Sequence, residues 1–170
     1  CGLPSGDALL CDGCRADLPR LPAAHCPVCA LPVPGARVCG RCLKKAPAFD
    51  ATLAVWAYEA PADWLIHALK FRAQLPLAGW FAQELQALGL PPADLLLAMP
   101  LHPRRLAERG FNQSVEIARH VARIGGLRFD AFGLALLGFG LALGDFQAGV
   151  GQHQVFGGLV AGLAFLRLGG

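Results

Sequence analysis

Apolar and polar positions alternate along this chain with two different periods. Residues 61–71 (PADWLIHALKF) open on Pro61 and Asp63 and carry Trp64, Leu65, Ala68 and Leu69 at helical spacing, which predicts an amphipathic helix. Residues 76–88 predict a second helix, with Leu77, Trp80, Phe81, Leu85 and Leu88 inward and a stop at Gly89 and Pro91-Pro92. Residues 112–126 predict a third. Val115, Ala118, Val121 and Ala122 lie on one side, and Glu116, Arg119, His120 and Arg123 on the other. Asn112 is its candidate N-cap and Gly125-Gly126 its stop. Two stretches read as strands instead: ATLAVWAY (51–58), rich in β-formers, and DLLLAMP (94–100). The second is apolar without interruption, as suits a strand buried on both faces of a parallel sheet. The loop LHPRRLAERGF separates it from the third helix, so strand, basic loop and helix form half of a βαβ unit.

The stretch up to Cys42 follows neither period. It holds all seven cysteines, at positions 1, 11, 14, 26, 29, 39 and 42. An odd number argues against a simple disulfide framework. CGLPSGDALLCDGC (1–14) and CALPVPGARVCGRC (29–42) match at an offset of 28, with Cys, Leu, Pro, Ala, Cys and Cys in register. Cys26 precedes the second copy, which therefore reads C-x2-C-x9-C-x2-C. Two such knuckles close a tetrahedral four-thiolate site, so Cys26, Cys29, Cys39 and Cys42 are expected to bind one structural zinc with no position open to substrate. The first copy offers three thiolates, Cys1, Cys11 and Cys14, with water or His25 as a fourth ligand. The repeat implies a leading cysteine before residue 1 and hence a clipped chain. A mature lipoprotein also begins with Cys, but the repeat accounts for Cys1. So short a Pro- and Gly-containing segment needs its metal to fold. Redox chemistry of the thioredoxin kind lacks the βαβ context next to its C-x2-C.

Beyond residue 128 the composition changes. The stretch 129–170 contains no Pro, Lys, Glu, Ser, Thr, Asn, Cys, Met, Tyr or Trp and is rich in Gly. An out-of-frame tail accounts best for this alphabet and predicts poor packing there. The competing readings are a packed C-terminal part and a membrane segment. Residues 131–144 are too short to span a bilayer, and the uncharged run from Phe146 to Leu166 begins with Gln147, Gln152, His153 and Gln154. No basic region leads into an apolar run at the start, so no signal peptide is expected. Net charge is +3, too small to argue for nucleic acid by itself.

The chemistry outside the cysteines concentrates in PLHPRRLAERGFNQS (100–114). Arg104, Arg105 and Arg109 supply forked donors suited to phosphate. Gly110 allows close backbone approach, and Asn112 and Gln113 begin a helix whose free N–H groups favour an anion. The loop follows the carboxyl end of a strand, where open α/β sheets bind ligands. A solvated basic loop with an Asn cap fits the same residues.

HCPVC…CGRC, YEAPADWLIHALKFR and MPLHPRRLAERGFNQSVEIARHVAR, in that order, resemble the ComF (GntX-like) family over residues 1 to about 127. The resemblance implies an α/β chain, with a double zinc ribbon at 1–45 and an incomplete type I phosphoribosyltransferase-like parallel-sheet domain at 49–128. It leaves 129–170 as a tail, out of frame or disordered. It places Arg109, Gly110, Asn112 and Gln113 on the family's RGFNQ motif, near a pyrophosphate-binding loop. The acidic pair and Thr-Thr-Gly run that grip phosphoribosyl pyrophosphate have no counterpart, since no Thr follows Thr52 and no two acidic residues are adjacent. No catalytic residue is therefore assigned and no turnover is expected. Mg, phosphoribosyl pyrophosphate and a small phosphorylated substrate belong only to an intact parent.

The function so implied is a cytoplasmic, competence- and DNA-uptake-associated role, with single-stranded DNA or uptake proteins as partners and no membrane. The alternative is a non-enzymatic zinc-ribbon adaptor that contacts nucleic acid or protein through Arg37, Arg41, Lys44 and Lys45. A third is a small membrane protein.

Overall fold

In the computed structural model, residues 8–47, 49–131 and 163–166 are described. The cysteine repeat is a structural repeat. Helix α1 (Asp12–Ala16) follows Cys11, and helix α2 (Gly40–Lys44) follows Cys39. The two helices keep the same offset as the cysteines. Each begins on an extended Cys in the N-cap position, as a C-x2-C knuckle requires.

The remaining elements are α3 (Ala62–Arg72), α4 (Pro76–Gln86), β1 (Leu95–Ala98), α5 (Pro103–Arg109), α6 (Gln113–Gly125), β2 (Phe129–Asp130) and β3 (Leu163–Leu166). Among the described residues the sheet has the order β2-β1-β3. Strand β1 pairs in parallel with β2, Leu96 opposite Phe129, and antiparallel with β3, Leu96 opposite Phe165. Leu96, Leu97 and Ala98 are buried, as the uninterrupted apolar run predicts for a strand covered on both faces. The passage β1–α5–α6–β2 completes the βαβ unit whose first half is legible in the sequence. The sheet thus takes in residues beyond 128. The out-of-frame reading of 129–170 falls mostly on residues 132–162 and 167–170, outside the described residues.

Helix α6 packs most extensively on α4 and also covers β1. Ile117, Ala118 and Val121 are fully buried in the same core cluster as Phe81 and Ala82 of α4. Each large side chain so buried contributes about 1.5–3 kcal/mol. The His120 ring of α6 lies over Gly79 of α4, where a Cβ would stand 3.4 Å from it, in van der Waals contact. His120, expected on the surface from its polar neighbours, is instead half-buried against α4. Asn112 caps α6 as expected, its side chain accepting from Ser114 N at 2.9 Å.

Four expectations are corrected. The buried face of α3 is Ala62, Ile66 and Leu69, while Trp64 is 66 % exposed. The inward stripe is rotated around the helix from the one the largest side chains suggest, because size alone does not set inwardness. Leu88 lies beyond the end of α4 and is 42 % exposed. Residues 51–58 form no named strand. The segment is extended, with Leu21 N donating to Val55 O (3.1 Å) and Ala57 N to Pro19 O (2.8 Å), but the ladder ends at the single bridge Arg20–Trp56. The segment before α6 is not all loop either. Pro103 starts helix α5 in the first-turn position that tolerates it, and His102 Nδ1 accepts from Arg104 N at 3.2 Å.

Glu84 joins the first ribbon to this core. It faces inward from α4 and is 2 % exposed, yet it is paired twice, with Arg15 Nη2 on Oε1 and Arg20 Nη2 on Oε2 at 2.7 Å. Arg20 also lies over Trp56, 5.5 Å from the ring centroid, and Trp56 stacks on Trp80 at 5.2 Å. Both arginines sit just after the first cysteine triplet, so the ribbon segment is held to α4 by charge and aromatic contact together.

Candidate metal centre and cationic cleft

Cys26 and Cys29 sit on a tight turn. Ala30 N donates back to Cys26 O (2.9 Å) and Cys26 N to Leu31 O (2.7 Å), while Ala30 takes positive φ to close the turn. Cys39 and Cys42 come from the start of α2. The four sulfurs lie within 4.8 Å of one another and all four residues are buried. Cys29 and Cys39 sulfurs are 3.6 Å apart, and a tetrahedral Zn–S4 centre needs about 3.8 Å. The donor set is therefore that of a structural zinc site. Cys39 N also donates to Cys26 Sγ at 3.3 Å.

The electrostatics agree. Burial opposes ionisation of Cys26, but backbone N–H groups of Cys29, Cys39 and Val28 outweigh it and bring the thiol down to about 6. Burial pushes Cys29 and Cys42 up, and hydrogen bonds from neighbouring thiols add to the rise at Cys42. Crowded thiols that resist ionising together are what a dication resolves, since it deprotonates its ligands on binding. Among the described residues, the apolar side chains around the four cysteines are Val28, Leu31, Val33 and Val38, all partly exposed. Metal rather than apolar area therefore holds this part together.

In the first copy, Cys14 N donates to Cys11 Sγ at 3.5 Å and lowers that thiol. Cys1 lies outside the described residues. His25 does not join the four-cysteine cluster, and its Nδ1 is 2.7 Å from Pro22 O.

The residues singled out between 104 and 113 separate into two groups. Arg105 and Arg109 line an open cleft together with Lys70, Phe71, Ala73, Glu108 and Phe111. Lys70 and Phe71 come from the end of α3, a contribution sequence reasoning missed. In the sequence the LKFR stretch reads only as the close of a helix. Burial, and then the charge of Arg109, lower Lys70 to about 8. Burial and Arg105 likewise lower Arg109, while Glu108 opposes them. Three cations thus face one another, with one carboxylate, Glu108, bound to Arg105 at 3.2 Å. Such a cluster favours an anion. Arg104 is exposed and does not line the cleft. Gly110, Asn112 and Gln113 do not line it either. Gly110 turns the chain out of α5 at φ 79°, a conformation only Gly adopts freely. Asn112 Nδ2 donates to Met99 O at 2.9 Å, fixing α6 to the end of β1. Gln113 Oε1 accepts from Arg109 Nη1.

Residues 1–43 match the double zinc ribbon domain family, which defines the class of protein. The chain is homologous to the YhgH proteins of the ComF/GntX family, as its three motifs imply. It is 34% identical over 131 residues to the DNA utilization protein YhgH of Salmonella typhi, covering 72% of this chain and 57% of that protein. It is 35% identical over 107 residues to YhgH of Escherichia coli K12, covering 58% and 47%. The chain thus spans about half the length of the curated relatives it matches. No solved structure matches. Among the described residues, no helix is long and apolar enough to cross a membrane.

Proposed function

We propose that this chain is a zinc-stabilised DNA-utilization protein of the cytoplasm that binds single-stranded DNA during or after uptake. The observation that carries this reading is the 131-residue match to a DNA utilization protein, longer than the zinc ribbon alone. Its α/β part is an incomplete type I phosphoribosyltransferase-like domain, a reading supported by the β1–α5–α6–β2 passage and the cations at the carboxyl end of β1. Cys1, Cys11 and Cys14 contribute thiolates to a second zinc site, that of the first ribbon. Phosphoribosyl transfer is not expected of residues 1–170, because they include neither an adjacent acidic pair nor a Thr-Thr-Gly run. A labelled single strand titrated with the zinc-loaded chain tests the reading. Salt-sensitive binding in the range of about 10 µM is expected, and no binding at about 100 µM overturns it.

A second reading, the zinc-ribbon adaptor, draws on one feature. Arg37, Arg41, Lys44 and Lys45 are all exposed beside the second ribbon, and Leu43 of α2 is 74 % exposed among them. Loss of binding on changing Arg41 and Lys44 alone favours this reading.

A further inference from the structure

The outer face of α3 is aromatic. Trp64, His67 and Phe71 follow at the i, i+3, i+7 spacing of one helix face, and all three are exposed. Trp64 is 66 % and Phe71 65 % exposed, the largest apolar side chains left uncovered among the described residues. They are not a misplaced core, since Ile66 and Leu69 fill the inward face of the same helix. The row is held in place. His67 meets Phe71 edge to face at 5.3 Å, and its Nε2 is 3.3 Å from Tyr58 OH. Two turns of helix separate Trp64 from Phe71 by about 10 Å.

The row ends in the cationic cleft. Phe71 itself lines that cleft beside Lys70, Arg105 and Arg109, and Arg109 lies 5.3 Å from the Phe71 ring centroid. Of the residues lining the cleft, only Glu108 offsets the three cations. An exposed aromatic row running into clustered cations is poorly suited to an apolar protein groove, because the cations would be desolvated without partners. It suits a chain that is aromatic and anionic at once. Single-stranded nucleic acid has that character: its bases stack on aromatic side chains while its phosphates follow cationic grooves.

We propose that α3 and α5 form a platform for single-stranded nucleic acid, with bases on Trp64 and Phe71 and backbone phosphates at Lys70, Arg105 and Arg109. This rests on the nucleic-acid reading above and assigns it a site away from the basic residues of the ribbon.

The test uses the full zinc-loaded chain and an end-labelled oligothymidylate of about 15 nucleotides, followed by anisotropy. The variants are W64A/F71A, K70Q/R109Q and, on the ribbon, R41Q/K44Q. Zinc content and melting temperature confirm that each is folded, which the exposure of Trp64 and Phe71 favours. W64A/F71A is expected to weaken binding about fivefold or more. K70Q/R109Q is expected to flatten the slope of log affinity against log salt by about 1.4, the value for two lost phosphate contacts. Wild-type affinity and slope in both platform variants overturn the proposal. If R41Q/K44Q alone abolishes binding, the platform falls and the nucleic-acid reading stands. If the wild-type chain does not bind, both fall. Equal affinity for a duplex of the same length overturns the stacking role of Trp64 and Phe71.

Discussion

Arg20 reaches across the chain to set Nη2 2.7 Å from Glu84 Oε2, and it meets there a carboxylate that is 2 % exposed. Arg15 holds the other oxygen. The arginines are about half exposed, so most of the desolvation falls on Glu84. Removing either arginine leaves Glu84 one partner; removing both leaves a buried, uncompensated charge. R15A/R20A is therefore expected to cost about 3–5 kcal/mol, and E84Q less, because it removes the charge itself. Urea unfolding followed by tryptophan emission measures both, since Trp56 and Trp80 lie beside the clamp.

The two faces of α3 separate stability from binding. Ile66→Ala empties a core position and is expected to cost about 2–5 kcal/mol. Trp64→Ala changes an exposed position and is expected to stay within about 0.5 kcal/mol. Thermal melts of the two variants decide it; equal losses contradict the inward face described for α3.

Zinc removal should act locally. With so few apolar contacts around Cys26, Cys29, Cys39 and Cys42, chelation is expected to expose the segment 22–45 to rapid hydrogen exchange while α4 and α6 stay protected. Zinc rebinding near neutral pH is expected to release protons, because the cysteines ligate as thiolates. Calorimetry in buffers of different ionisation enthalpy counts them. C42S is expected to lose one zinc per chain.

Lys70 gives a pH signature of the cleft. Its folded value, about 8, lies below the ordinary 10.5, so between those values the unfolded chain holds a proton that the folded chain lacks. Stability contributed through Lys70 therefore rises as pH rises through that window and is lower below it. Oligonucleotide affinity moves the opposite way, since Lys70 loses its charge above about 8. In Lys70→Met both dependences should flatten, as denaturation and binding series across the window will show.

The zinc site was readable because a four-thiolate centre dictates spacing, and the cysteine repeat survives as paired helices after Cys11 and Cys39. Helix α6 was readable for a similar reason: cap, stripe and Gly stop agree. The clamp left a fainter trace. Glu84 falls on the same face as Leu77 and Phe81, and a carboxylate on a buried stripe calls for cations. Their source, Arg15 and Arg20, is set by tertiary docking that no local pattern encodes. The cleft was half legible. Arg105 and Arg109 announced themselves, while Lys70 and Phe71 join them only through the packing of α3 beside α5. Asn112 and Gln113 read as ligand residues because caps and anion sites use the same polar groups; in the fold Asn112 caps α6 and holds Met99 O, and Gln113 accepts from Arg109.

The salt dependence of single-strand binding by the zinc-loaded chain tests the central claim most directly. Three phosphate contacts at Lys70, Arg105 and Arg109 predict that log affinity falls with log salt at a slope of about −2. An affinity that does not change with salt, or no binding at low salt, would contradict the account.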